Sequence, residues 1–198
     1  MLAEGNHKKN FNLLVSTVED EGSFLFYFTM QDKRFAKHNP EDVTLEEVKD
    51  FTKEYIQKDF EFVGKKFSHD EMLEKIYFNG QNPHFDNPDQ FRKQAGIAMG
   101  DNFLTCPTLN FAKSLFRSSP DTIKVYQWYY TVKTGNPTPI CSHWGGTCHS
   151  DDLSPLFGLP IWLPEKYTTR ERDVSREVIS FFSSFSRTGY VTNHMNVI

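Results

Sequence analysis

The chain has 198 residues, 38% of them hydrophobic and 24% charged, with a formal net charge of −4, a composition that suits one globular domain of ordinary size. Lys and Arg are scattered among Asp and Glu, so there is no basic stripe to track a phosphate backbone, and a nucleic-acid partner is excluded. The apolar runs are short and broken by charge, far below the roughly 20 residues that span a bilayer. The N-terminal MLAEGNHKKN carries charge where a secretory signal holds its apolar core, so neither a transmembrane segment nor a signal peptide is expected here.

Residues Asn10 to Val18, NFNLLVSTV, are rich in Leu, Val and Thr and stop at the charged turn Glu19-Asp20-Glu21-Gly22; they read as a buried strand ending in a loop. Ser23 to Met30, SFLFYFTM, is almost wholly apolar, and its periodicity fits a strand or a turn of core helix equally. From Thr44 the pattern becomes helical: a Thr44-x-x-Glu47 capping box precedes Val48, Phe51, Tyr55, Ile56 and Phe60 on one face. A second box, Ser68-x-x-Glu71, precedes Met72, Leu73, Ile76 and Tyr77. Asp89 to Phe116 predicts helix in two pieces divided near Gly100-Asp101, with Phe103, Cys106, Leu109, Ala112 and Phe116 facing inward.

Thr122 to Val132, TIKVYQWYYTV, is dense in β-branched and aromatic residues on both alternating faces, which predicts a strand covered on both sides. The loop Lys133 to Cys148 leads to His149. A third box, Thr168-x-x-Glu171, opens a helix carrying Val174, Val178, Ile179, Phe182 and Phe185, and Gly189 ends it. Strand, helices, strand, helix is an α/β order. Two strands make too small a sheet for that class, and 19 phenylalanines supply the bulk of a larger core, so the fold is expected to be incomplete in this chain.

Two residues stand where α/β folds place their chemistry, beyond the carboxyl ends of strands. His149 follows the second strand's loop, and Glu21 follows the first strand. A carboxylate that orients an imidazole and stabilises its protonated form is the third-group arrangement of nucleophilic catalysis. Taken singly, His149 also reads as a packing or surface histidine, and Glu21 as a solvated acidic turn. Their order, acid and then histidine, is that of α/β-hydrolases, whose serine comes earlier in a G-x-S-x-G elbow; no such motif occurs among these residues. Cys141 and Cys148 enclose a short loop and fit either a disulfide or buried thiols. With His143 and His149 they give C-x-H-x4-C-H, which matches no usual zinc pattern, so no metal is expected.

The segment WGGTCHSDDLSPLFG, residues 144–158, resembles the catalytic-histidine segment of type-B carboxylesterases and cholinesterases: glycine before a histidine, an acidic pair after it, then Phe-Gly. Three more segments agree in the family's order. Val18-Glu-Asp-Glu-Gly-Ser23 resembles its acid segment, Asp101-Asn-Phe-Leu-Thr-Cys-Pro107 its cysteine-bearing helix, and Phe185-Ser-Arg-Thr-Gly189 the signature after its last long helix. The resemblance runs from about residue 10 to residue 189.

It implies the C-terminal portion of an α/β-hydrolase fold, with the last strands of the sheet, a helical insertion and a C-terminal helix. It implies a carboxylic-ester hydrolase acting on a small-molecule ester without a cofactor, with His149 the general base and Glu21 its partner. It matches Phe24 and Leu25 to substrate-pocket positions; leucine where many cholinesterases carry a second phenylalanine implies a roomier acyl pocket. Phe26 and Phe28 fit core packing as well as pocket lining. Cys106 matches a structural cysteine whose partner lies beyond residue 198, and the family favours an extracellular or cell-surface location, although no N-x-[ST] acceptor with a non-proline middle residue is present. The sequence leaves the oligomeric state open. With the serine and the glycine-rich oxyanion segment absent from these residues, the 198-residue chain alone is expected to be inactive. The alternative is a non-catalytic cholinesterase-like adhesion or binding domain, or the remnant of a truncated gene.

Overall fold

The structure, a computed structural model, describes residues 6–29, 32–66, 70–79, 86–119, 121–136 and 139–191. These divide into two compact units. The first holds residues 1–18, 107–138 and 150–198, and the second holds residues 19–106 and 139–149.

In the first unit, strand β1 (Phe11–Val18) pairs in parallel with β2 (Ile123–Tyr130), Phe11 opposite Ile123 and Val18 opposite Tyr130. Parallel neighbours need a crossover, and here more than a hundred residues intervene. Alternate residues share a face. Val18, Trp128 and Tyr130 form a core with Val178 and Phe181, and Leu14 and Phe182 pack against it. Val178, Phe181 and Phe182 sit on helix α8 (Thr169–Thr188). Trp128 meets the Phe182 ring edge-on at 4.9 Å between centroids. The expectation that β2 is covered on both faces needs correction: on the other face Ile123 is buried, but Gln127 is exposed and Tyr129 is 52% exposed. The cover is therefore one-sided along most of the strand.

Helix α8 begins and ends as its sequence predicts. The Thr168 hydroxyl accepts from Glu171 N–H while the Glu171 carboxylate accepts from Thr168 N–H, and Gly189, at φ 72°, closes the helix in the left-handed conformation. Two short helices, α6 (Leu153–Leu156) and α7 (Leu159–Trp162), pack against α8, and the Ser175 hydroxyl donates to the Pro155 carbonyl at 2.7 Å.

The second unit is helical. Ser23–Thr29 is helix α1, which resolves the ambiguity of that apolar run. Helix α2 (Leu45–Phe62) starts at the Thr44–Glu47 capping box and buries Val48 and Ile56, with Phe51, Tyr55 and Phe60 packed beside them. Helix α3 is Asp70–Tyr77; the second predicted capping box lies outside the described residues at Ser68. Helix α4 (Pro88–Gly100) supplies Ala95, Ala98 and Met99 to a core that also contains Phe26, Phe35 and Trp144. Phe26 and Phe35 stack at 4.4 Å and 7°. Phe28, by contrast, is 55% exposed.

The helical stretch from residue 88 does not break at Gly100. It passes through a π-helical turn, Asp101–Thr105, into helix α5 (Cys106–Ser118). An i→i+5 turn shifts the phase of the helix faces beyond it. Ala112, as expected, is buried in α5 together with Leu115, whereas Cys106 is exposed and Phe116 is 46% exposed, correcting the inward positions expected of those two.

Candidate active site

The acid and the histidine separated by more than a hundred residues in sequence meet in the second unit. Glu21 lies in the turn that precedes α1, and His149 at the end of the segment 139–149. His149 Nδ1 is 2.6 Å from Glu21 Oε2. The Glu21 side chain is 8% exposed and that of His149 36%, so the carboxylate is sealed in while the imidazole keeps an open side. With Glu21 accepting at Nδ1, the neutral imidazole carries its proton there and presents Nε2 as a base.

Backbone pairing sets this register. Asp20 forms an isolated parallel bridge with Cys148, and in parallel pairing the next residues along, Glu21 and His149, come opposite each other. Asp20 N–H donates to the Thr147 carbonyl at 2.9 Å, and Thr147 N–H donates to Asp20 Oδ2 at 2.8 Å. Asp20 is 1% exposed. Burial pushes its carboxyl above the usual carboxylate range, against the opposing pull of the Lys93 ammonium and the Thr147 N–H.

Three glycines let the acid reach this place. A Cβ on Gly22 would lie 2.1 Å from the Gly96 carbonyl oxygen and 2.2 Å from Gly100 N, and one on Gly100 would lie 3.1 Å from the Glu21 Cβ. The turn thus beds directly on the backbone of α4, which an isolated helix face with side chains would not permit. On the histidine side, Gly146 takes φ 67°, and a Cβ there would fall 1.9 Å from Asp20 Oδ2. Cys141 and Cys148 are joined in a disulfide, so the seven-residue separation between them is closed next to His149. Both sulfurs of the C-x-H-x4-C-H pattern are consumed in that bond. Ser150, the residue after His149, is itself left-handed at φ 73°.

Phe24 stacks on the imidazole, with centroids 4.5 Å apart and planes 20° from parallel, and meets Phe28 edge-on at 5.9 Å. Leu25, the neighbour of Phe24, is partly buried and packs against the core that contains Phe26. The structure thus brings Glu21, His149 and Phe24 together. Asp20, Lys93, Gly96 and Gly146 escaped sequence reasoning. Only Gly146 carried a local signal, as the second glycine of a Gly-Gly pair; the others act through partners far away in sequence.

The model of the carboxylesterase family matches residues 1–196. Acetylcholinesterase of Leptinotarsa decemlineata is 29% identical over 197 residues, which cover 99% of this chain and 29% of that protein. Acetylcholinesterase of Bungarus fasciatus is 26% identical over 193 residues, 98% of this chain and 29% of that protein. Acetylcholinesterase of Gallus gallus is 30% identical over 104 residues, 52% of this chain and 13% of that protein. The chain spans about three tenths of the length of the first two relatives.

Proposed function

Because the chain belongs to the carboxylesterase family, we propose that it is the acid-and-base portion, residues 1–198, of an α/β-hydrolase domain that hydrolyses small-molecule carboxylic esters. The observation that carries this reading is the 2.6 Å contact of His149 Nδ1 with a buried Glu21 carboxylate. In the reaction, His149 Nε2 takes the proton of a serine hydroxyl as its oxygen attacks the ester carbonyl. The tetrahedral oxyanion collapses, the C–O bond to the alcohol breaks, and His149 returns the proton to the leaving oxygen. Water then releases the acid from the serine by the same two steps. Glu21 holds the tautomer and stabilises the imidazolium without itself taking the proton. Phe24, stacked on the ring, borders the place where ester binds. The serine and the oxyanion donors belong to sequence outside these residues, since no G-x-S-x-G occurs within them.

The relatives named acetylcholinesterase make choline esters the first substrates to try. The Cys141–Cys148 disulfide supports an oxidising, extracellular or cell-surface location, because such bonds persist there and are reduced in the cytosol.

The test is to read the native transcript 5′ of the Met1 codon, express its whole product, and assay acetylthiocholine and p-nitrophenyl ester hydrolysis. Phosphonate-inhibited turnover that falls about 10³-fold or more in His149→Gln is expected. A His149→Gln product that keeps its rate would refute the assignment, and a native product that binds but never hydrolyses esters would make this a binding domain. The 198-residue chain alone is expected to be inactive; phosphonate-sensitive hydrolysis by it would place the nucleophile within these residues.

A further inference from the structure

We propose that Asp20, adjacent to the acid, is a positioning residue that sets the His149 tautomer by clamping the loop that carries it. This rests on the reading of Glu21 and His149 as acid and base. The clamp has two points on one residue. Asp20 N–H donates to the Thr147 carbonyl at 2.9 Å, and its carboxylate accepts from Thr147 N–H at 2.8 Å. Thr147 is two residues before His149, and Asp20 is one before Glu21, so both members of the pair hang from the same short ladder, whose next rung is the Asp20–Cys148 bridge.

The surroundings are built for a carboxylate at this place. Asp20 and Thr147 are 1% exposed each. Lys93 Nζ stands 3.4 Å from the second oxygen, Oδ1, as an ion pair. The like charge of Glu19 acts against ionisation of Asp20. The absence of a Cβ at Gly146, where one would fall 1.9 Å from Oδ2, leaves room for that oxygen beside the Thr147 amide. The Ser23 hydroxyl donates to the Asp20 carbonyl at 3.3 Å, tying the residue to the first turn of α1. A buried carboxylate is costly unless it is paired and hydrogen-bonded, and here the Thr147 N–H and the Lys93 ammonium fill those roles.

The experiment is NMR of the whole product of the native transcript carrying ¹⁵N-histidine and ¹⁵N-threonine, in which the two ring-nitrogen shifts of His149 report where the neutral imidazole carries its proton. In the unmodified chain the Nδ1–H form is expected to dominate. Asp20→Ala is expected to give mixed tautomers, with exchange of the Thr147 amide accelerated a hundredfold or more. Asp20→Asn, which keeps an oxygen acceptor for Thr147, is expected to restore the Nδ1–H form. Glu21→Gln separates the two ideas. If it disturbs the tautomer while Asp20→Ala does not, the clamp is wrong and the acid–base pair stands; if Glu21→Gln itself changes nothing, the pair reading fails. Should Asp20→Ala not fold, the folded unmodified product decides: a Thr147 amide exchanging at the rate of an unfolded peptide while the amides of α4 stay protected overturns the clamp, and strong protection at Thr147 supports it.

Discussion

Replacing Gly22 by alanine tests the bed on which the acid rests. The added methyl would start 2.1 Å from one backbone atom and 2.2 Å from a second, both on α4. Neither can rotate away as the tip of a flexible side chain would. Ordinary contact requires about 3.4 Å or more, so the turn and the helix must part by more than 1 Å, in an interior packed like an organic crystal. Overpacking of this kind costs about 1–3 kcal/mol, and the rigid partners put Gly22→Ala at the upper end. With a urea m-value of about 2 kcal/mol/M, a loss of about 3 kcal/mol lowers the midpoint by about 1.5 M. The same displacement carries Glu21 off the imidazole, so the Nδ1–H resonance of His149 should disappear in native buffer. A midpoint within about 0.3 M of the parent, with that resonance intact, would refute the reasoning.

Phe24→Ala removes the ring stacked at 4.5 Å on His149; a loss of about 0.5–1.5 kcal/mol beyond area burial is expected, with His149 ring protons moving downfield as the ring current vanishes. Replacing Cys141 and Cys148 by serine opens a loop whose ends are seven apart in sequence, and the chain-entropy relation gives a destabilisation of about 2.5 kcal/mol, read as a lower Tm by calorimetry. Glu171 sits at about 2: burial opposes its ionisation, but the Thr134 hydroxyl, the Thr168 N–H and hydroxyl and the Gly135 N–H all donate to it and prevail. Since its folded value lies below the ordinary 4.5, it stabilises the fold above pH 4.5 and that contribution fades as pH falls towards 2. Solvent screening leaves it about 1 kcal/mol. Glu171→Gln should therefore flatten the acid limb of a stability-against-pH curve, and an unchanged limb would count against the assignment.

What the sequence showed was what depends on neighbours along the chain. Thr44 with Glu47 and Thr168 with Glu171 are capping boxes because the partners are three residues apart, and both form. The unbroken apolar run at Ser23 had no period to distinguish helix from strand; the glycine bed at Gly22, a contact with residues more than seventy positions away, is what positions it. Cys106 and Phe116 were misplaced because they flank the stripe formed by Ala112 and Leu115, and periodicity does not fix how wide a buried stripe is. Glu21 and His149 were legible from their places after strands and from the wording around them. Asp20 was not, because an acidic turn of three residues gives no hint which carboxylate is solvated and which is buried among Thr147, Lys93 and Gly146.

The π-helical turn has a bearing on which changes of length the chain can absorb. A wide turn is a helix holding one surplus residue, and it starts at Asp101, immediately after Gly100. A residue gained or lost beyond that point can be taken up by widening or tightening the turn, leaving Gly96 and Gly100 still facing Gly22. Between Asn87 and Gly100 there is no such slack: each inserted residue rotates the remainder of the helix by about 100° and swings a side chain into the space the acid's turn occupies. Insertions and deletions in descendants of this sequence should therefore collect after Gly100 and spare the thirteen residues of α4.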